Sequence, residues 1–270
     1  MGILRIGDKK ICAGKVAVPP GFYEIPREVN NNGMLFTPTE DFSFKLPSNA
    51  TNLSSYAMNY AFYMCTGLTL VDLSSLTTLS GYQAMYHAFD GCMRLTSIDL
   101  SSLTTVSGDS VMERAFSTCG GLTSVDLSNL TTVSGNNTMQ SAFSGCIGLT
   151  SVDLSSLTTV NGSRTFVFIF AGCESLTTLS FSALATLSGS TAMNYAFQNC
   201  TSLTTLSFPA LTSTSFGSYT NQFENMLSGV TGCTVHFPSN LQSVIGSWSD
   251  VINGFGGTNT TVLFDLPATT

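Results

Sequence analysis

Leu122 to Gly148 reads LTSVDLSNLTTVSGNNTMQSAFSGCIG, and variants of this phrase return in phase along most of the 270-residue chain. Leu68, Leu95, Leu122, Leu149, Leu176 and Leu203 stand 27 residues apart. Cys65, Cys92, Cys119, Cys146, Cys173 and Cys200 keep the same step, as do Phe62, Phe89, Phe116, Phe143, Phe170 and Phe197. Counting backward, Asp41 to Gly67 is a diverged first copy that keeps Phe44, Leu46, Met58, Ala61, Phe62 and Cys65. Counting forward, Leu203 to Gly229 is a diverged last copy. One such unit cannot bury its own apolar faces, whereas stacked neighbours can, so about seven units in phase define a solenoid.

Each unit holds two structural periods. Leu122-Thr123-Ser124-Val125-Asp126-Leu127 alternates apolar with polar residues, as a strand with one buried face does. Leu130 and Val133 form a second short apolar pair before a turn at Gly135. Met139, Ala142, Phe143 and Cys146 then fall at i, i+3, i+4 and i+7, the spacing of one face of a short helix. Asn136, Asn137 and Thr138 are candidates to cap its start. The expected fold class is therefore an α/β repeat. It has a parallel sheet along one side, with strands about 4.8 Å apart, short helices on the other, and a cap at each end.

The phrase Ala-Phe-Ser-Gly-Cys (142–146) followed by Leu-Thr-Ser-Val-Asp-Leu (149–154) resembles the BspA-type bacterial leucine-rich repeats. The likeness covers Asp41 to Leu266. Cys233-Thr234-Val235-His236-Phe237-Pro238 is similar to that family's last strand. Ser239 to Asn253, with Leu241, Val244, Ile245, Trp248 and Val251, is similar to its closing helix. The units here are longer than is common in the family, with the extra residues around Gly135-Asn136-Asn137. The resemblance implies a leucine-rich-repeat solenoid, found outside the cell or on its surface. It also implies adhesion to a host or bacterial surface protein or glycan, without enzymatic chemistry or cofactors. It transfers no particular ligand. The expected organisation is a non-repeat segment over 1–40 acting as cap or docking module, seven repeats over 41–229, and a C-terminal cap over 230–270.

Charge is sparse and uneven. Nine residues are Lys or Arg and sixteen are Asp or Glu, giving a formal net charge of -7. Six of the cations, Arg5, Lys9, Lys10, Lys15, Arg27 and Lys45, lie at the start, and only Arg94, Arg114 and Arg164 follow. An acidic body repels phosphates, which argues against nucleic-acid binding along the solenoid. No window of about 18 uninterrupted apolar residues is present, so no membrane insertion is expected. Met1-Gly2-Ile3-Leu4-Arg5 does not open a signal peptide. Residues 1–40 alternate around Gly7-Asp8 and are punctuated by turns at Pro19-Pro20-Gly21 and Asn30-Asn31-Asn32-Gly33. Their opening is similar to the starts of tail-associated proteins of bacteriophages that infect gut bacteria. That implies an alternative: a virion component anchored through an assembly contact of residues 1–40, with the solenoid as its receptor-binding region.

Asp72, Asp99, Asp126 and Asp153 lie between buried strand positions and should point outward in one column. They read either as a solvated face or as a ligand face, with a weak Ca²⁺ site as a further reading. Ser97, Ser124 and Ser151, continued by Thr178 and Thr205, form a hydroxyl column beside them, suited to a polar or glycan ligand. On the opposite ridge Val167 and Phe168 read either as an outward apolar contact or as a local repacking of the helix. Tyr86 and His87, with Tyr82, Tyr195 and Tyr219, add an aromatic edge. The six in-phase cysteines are expected to form a reduced core column, each acting as a small apolar residue. Cys12 and Cys233 lie off that column. No Cys-x-x-Cys pair or His cluster marks a metal site. His87 and His236 are far apart, and no nucleophile elbow or phosphate loop is present, so no catalytic residues are assigned.

Overall fold

The computed structural model describes residues 41–46, 48–212, 222–242 and 254–268. Before these it describes the backbone of two antiparallel pairs, β1 (Leu4–Ile6) with β2 (Lys9–Ile11) and β3 (Glu28–Val29) with β4 (Leu35–Phe36). The cap or docking role expected of 1–40 otherwise lies outside the described residues.

From Asp41 onward the chain winds as a three-sided coil, one rung per repeat. The first side is a parallel sheet of β5 (Phe42–Lys45), β6 (Leu68–Asp72), β8 (Ser97–Asp99), β10 (Ser124–Asp126) and β12 (Ser151–Asp153). It resumes one repeat later with β14 (Thr178–Ser180), β16 (Thr205–Ser207), β17 (Thr234–Pro238) and β18 (Thr261–Leu266). The second side is an unbroken parallel sheet of β7 (Thr78–Leu79), β9 (Thr105–Ser107), β11 (Thr132–Ser134), β13 (Thr159–Asn161) and β15 (Thr186–Ser188). Strand partners keep the repeat step, as in Val125↔Val152 and Val133↔Val160. Beyond Ser207 the step lengthens, with Thr205 pairing Thr234, and then returns, with Thr234 pairing Thr261. Two strands thus lie within 230–270, where the sequence pattern points to only one.

The third side corrects the expectation of short helices. An α-helix would send each N–H to the carbonyl four residues back. Here alternate N–H groups cross to the next rung instead: Met139 donates to Thr165, Ser141 to Val167, Phe143 to Ile169 and Gly145 to Ala171, at 2.7–3.1 Å. The N–H groups between them close local turns, Ala142 to Met139 and Ser144 to Ser141, both at 3.1 Å. Asn137, Ser141 and Gly145 take positive φ of 53°, 54° and 74°, so the backbone itself repeats every fourth residue. A left-handed residue in each turn prevents a continuous helix. The four-residue period is nevertheless close to helical, so Met139, Ala142, Phe143 and Cys146 all enter the core as their spacing implies. The closing helix expected over Ser239–Asn253 is described only as a 3-10 turn at Ser239–Leu241, and 243–253 lie outside the described residues.

Columns of identical side chains hold the rungs together. Phe62, Phe89, Phe116, Phe143, Phe170 and Phe197 stack with centroids 5.0–5.8 Å apart and rings within 20° of parallel. The seven cysteines among the described residues are buried and in no disulfide. Cys119 and Cys146 each donate Sγ–H to a Phe carbonyl of the preceding rung, both at 3.2 Å. Threonine hydroxyls bridge rungs at the surface: Thr104 donates to the Thr77 carbonyl, Thr131 to Thr104 and Thr158 to Thr131, at 2.9–3.1 Å. This ladder gives the hydroxyl-rich composition a structural use, since each hydroxyl adds a second bond to a carbonyl that already accepts the same threonine's backbone N–H. Gly162 is required twice over: its φ is 124°, and an added Cβ would lie 2.3 Å from the Gly135 carbonyl oxygen.

Candidate functional site

The first side carries the expected aspartate column. Asp72 pairs in register with Asp99, Asp99 with Asp126, and Asp126 with Asp153. Each carboxylate also ends its own strand by accepting the N–H two residues on: Ser74, Ser101, Ser128 and Ser155 donate at 2.9–3.0 Å. That is an Asx turn, a structural role that strand alternation alone does not give these residues. The Ser128 hydroxyl and N–H hold the Asp126 carboxyl below its ordinary range.

The column is not wholly without cations. Lys45 occupies the register position before Asp72 and forms an ion pair with it. Together with the Ser74 hydroxyl, Lys45 lowers the Asp72 carboxyl to about 2. A signal for this pair exists in the sequence, because Lys45 lies one repeat before Asp72, but divergence of the first copy hides it. Asp126 and Asp153 are exposed and, among the described residues, in no ion pair.

Between β12 and β14 the sheet opens. No strand pairing joins them, although β13 and β15 of the same two rungs pair fully, Thr159↔Thr186 through Asn161↔Ser188. The opening forms a groove of about 540 Å³ lined by three successive rungs. Its walls include Ser124, Asp126, Ser151, Asp153, Thr178 and Ser180; its apolar strip includes Val152 and Leu179. Val152 is half-buried where its register partner Val125 is 2% exposed. Five of the expected face residues, Ser124, Asp126, Ser151, Asp153 and Thr178, therefore line one groove. Asp72, Asp99 and Ser97 lie outside its lining, further along the face. Ser180, Val152 and Leu179 are lining residues that the sequence does not single out. The seam coincides with a change in the inner column, from Leu73, Leu100, Leu127 and Leu154 to Phe181, Phe208 and Phe237, all buried. The larger rings stack on each other at 5.0 and 5.3 Å and start a new packing layer at β14.

The third side places the other candidates differently. Val167 is 4% exposed, covered by its neighbours though not part of the core cluster, whereas its counterparts Tyr86, Glu113 and Gln140 are half-buried; the expectation of an outward Val167 is corrected. Phe168 is half-buried at a tip with φ 56° and stacks on Tyr195 at 4.9 Å. His87 is also buried rather than on the ridge: its Nδ1 lies 2.8 Å from Asp90 Oδ2, and its ring stacks on Tyr60 at 4.8 Å. Tyr86 is half-buried beside it, with burial raising its phenol above the ordinary range. The exposed aromatics here are Tyr56, Tyr60, Tyr63 and Tyr82, of which only Tyr82 stands out in the sequence. Tyr219 and Cys12 lie outside the described residues.

Burial pushes the Cys146 and Cys200 thiols up to about 12 and raises Cys119 and Cys173 as well, which keeps them protonated and unreactive. His236 Nδ1 lies 2.9 Å from Asp265 Oδ1. Among the described residues no three His, Cys, Asp or Glu side chains gather to hold a metal ion. Among them, too, no helix is long and apolar enough to cross a membrane.

Comparison with known proteins gives the family. The chain matches the model of the BspA type leucine rich repeat region, six copies, over residues 35–167 and 113–247. No curated protein matches the sequence. Similar solved structures include the leucine rich repeat protein of T. pallidum, 21% identical over 56% of this chain and 87% of that one, with a TM-score of 0.25. A leucine rich cell surface protein of Faecalibacterium prausnitzii is 15% identical over 70% of this chain and 59% of that one, with a TM-score of 0.29. A plant peptide hormone receptor in complex with its peptide is 15% identical over 87% of this chain and 33% of its own, with a TM-score of 0.35. Superpositions this loose carry no argument about function. The family match spans most of the chain and decides its membership: this chain belongs to the BspA-type leucine-rich-repeat family.

Proposed function

We propose that this solenoid is an adhesion module that acts at a cell surface or outside the cell, binding a partner on its first sheet face without turning it over. The observation that carries the reading is the groove between β12 and β14, where the pairing that joins every other neighbouring pair of described strands on that face is absent and carboxylates, hydroxyls and an apolar strip are exposed together. A concave site with a few convergent polar groups is the ordinary form of a binding site. The buried, protonated cysteines and the histidines engaged with Asp90 and Asp265 fit binding better than chemistry. The partner class is a protein or glycan of a host or bacterial surface. The alternative of a virion component anchored through residues 1–40 falls on residues outside the described ones, and no observation here favours it.

The test is binding of labelled full-length protein to intact epithelial and bacterial cells, with and without calcium. Saturable binding without consumption of the bound partner is the expected result. Absence of saturable binding to every cell type would overturn the adhesion reading.

A further inference from the structure

Resting on that reading, we propose that the groove between β12 and β14 takes an extended protein segment bearing Lys or Arg, whose cationic group sits against Asp126 and Asp153.

The groove lining is one-sided in its chemistry. It contains two carboxylates and seven hydroxyl side chains but no basic side chain. Asp126 and Asp153 are register partners, so their carboxylates repel across one strand spacing, and each keeps acceptor capacity beyond its turn bond. A cation between them removes the repulsion and uses that capacity. The face itself shows how: at its other end the same column meets Lys45, whose ammonium pairs with Asp72. That lysine satisfies the first carboxylate from within the chain, and nothing described does so at the groove.

The remaining lining fixes the shape of the occupant. Val125, Val152, Leu154 and Leu179 supply an apolar strip crossing three rungs, suited to the aliphatic stem of Lys or Arg and to a neighbouring apolar side chain. No aromatic ring lines the groove. Sugar rings are commonly held on aromatic faces, so a neutral glycan has less to gain here than a cationic peptide. The strand edges facing the seam also leave backbone N–H and C=O groups that other rungs use on each other, and a peptide backbone can bond these.

The experiment uses full-length protein and a fluorescent peptide of about ten residues alternating Lys and Val, with a Glu-for-Lys counterpart, at about 0.15 M salt so that long-range attraction is screened. Three proteins are titrated by anisotropy: the unaltered chain, the double variant Asp126→Asn/Asp153→Asn, and Asp99→Asn as a control on the same column outside the groove. Asn keeps the turn bond from the N–H two residues on, so all three proteins fold. The Lys peptide should bind saturably and the Glu peptide should not. The double variant should lose roughly fivefold to tenfold in affinity, and Asp99→Asn less than about twofold. Failure of the Lys peptide to bind, or an equal loss in Asp99→Asn, would overturn the proposal; the latter would mean that the whole face acts as a diffuse charge. If the double variant still adheres to cells or to an immobilised glycan as well as the unaltered chain does, the groove assignment fails while the adhesion reading stands.

Discussion

The same two rungs meet twice in this solenoid, in opposite ways. On the second side, β13 and β15 pair at three consecutive positions. On the first side, β12 and β14 do not pair at all. The rungs are therefore held by their interior and by the other two sides, and one face can part without unstacking the coil. Each repeat contacts mainly its neighbours, so a local opening has a local cost. A repeat protein can in this way gain a recessed site from two copies of a motif that elsewhere makes a closed surface.

Removing what both sides share should have the largest effect. Phe143 lies in the ring column that runs from Phe62 to Phe197, and Phe143→Asp should cost more than about 3 kcal/mol in chemical denaturation, since it combines a cavity with a buried charge. An unchanged midpoint would contradict the view that the columns hold the rungs. Next in size, Val71→Ala and Val152→Ala remove the same atoms from the closed and the open part of one face. The first should cost roughly 2 kcal/mol and the second about half of that, because Val152 already meets solvent. Equal losses would mean that the seam is closed in solution.

A smaller effect should show what opens the seam. If the change from Leu154 to Phe181 in the inner column wedges the face apart, Phe181→Leu should slow hydrogen exchange at the amides of 178–180 toward the rate at 186–188. Persistent fast exchange would acquit the ring. The smallest effect concerns charge. The Asp72 carboxyl, held at about 2 by Lys45 and Ser74, lies below the unfolded carboxylate range near 4. Its contribution is thus complete above that range and is lost as pH falls through it toward about 2. The melting temperature of Asp72→Asn should accordingly fall less steeply between pH 4 and 2 than that of the unaltered chain. Parallel curves would show that the Lys45 pair adds nothing.

Most of this architecture is legible in the repeat phase. Spacing alone assigns Leu122, Val125, Phe143 and Cys146 to the core and the aspartate column to the face. The turn-rich side is not legible in the same way. Side chains at i, i+3, i+4 and i+7 report which residues enter the core, and a four-residue turn repeat buries the same set as a helix. The pattern cannot report where the N–H groups go. Val167 is misplaced for that reason, since a helical wheel puts it outside, while the turn repeat leaves its counterparts Tyr86, Glu113 and Gln140 half-buried and Val167 itself covered. The groove is equally hidden. Ser124-Val125-Asp126-Leu127 and Ser151-Val152-Asp153-Leu154 are the same four residues, yet one closes on the next rung and the other does not. The seam falls where the partner rung carries Phe181 in place of leucine, a change that shows only when neighbouring repeats are compared.

The central claim is that binding uses the open face. Its most direct test places a bulky maleimide label on a cysteine introduced at Ser151, in the groove wall, or at Ile147, exposed on the coil outside the groove lining, in a Cys12→Ser background. The buried native thiols, raised by burial, should stay unlabelled. Cell binding should be lost when Ser151→Cys is labelled and retained when Ile147→Cys is labelled. Undiminished binding by the protein labelled at position 151 would contradict the account.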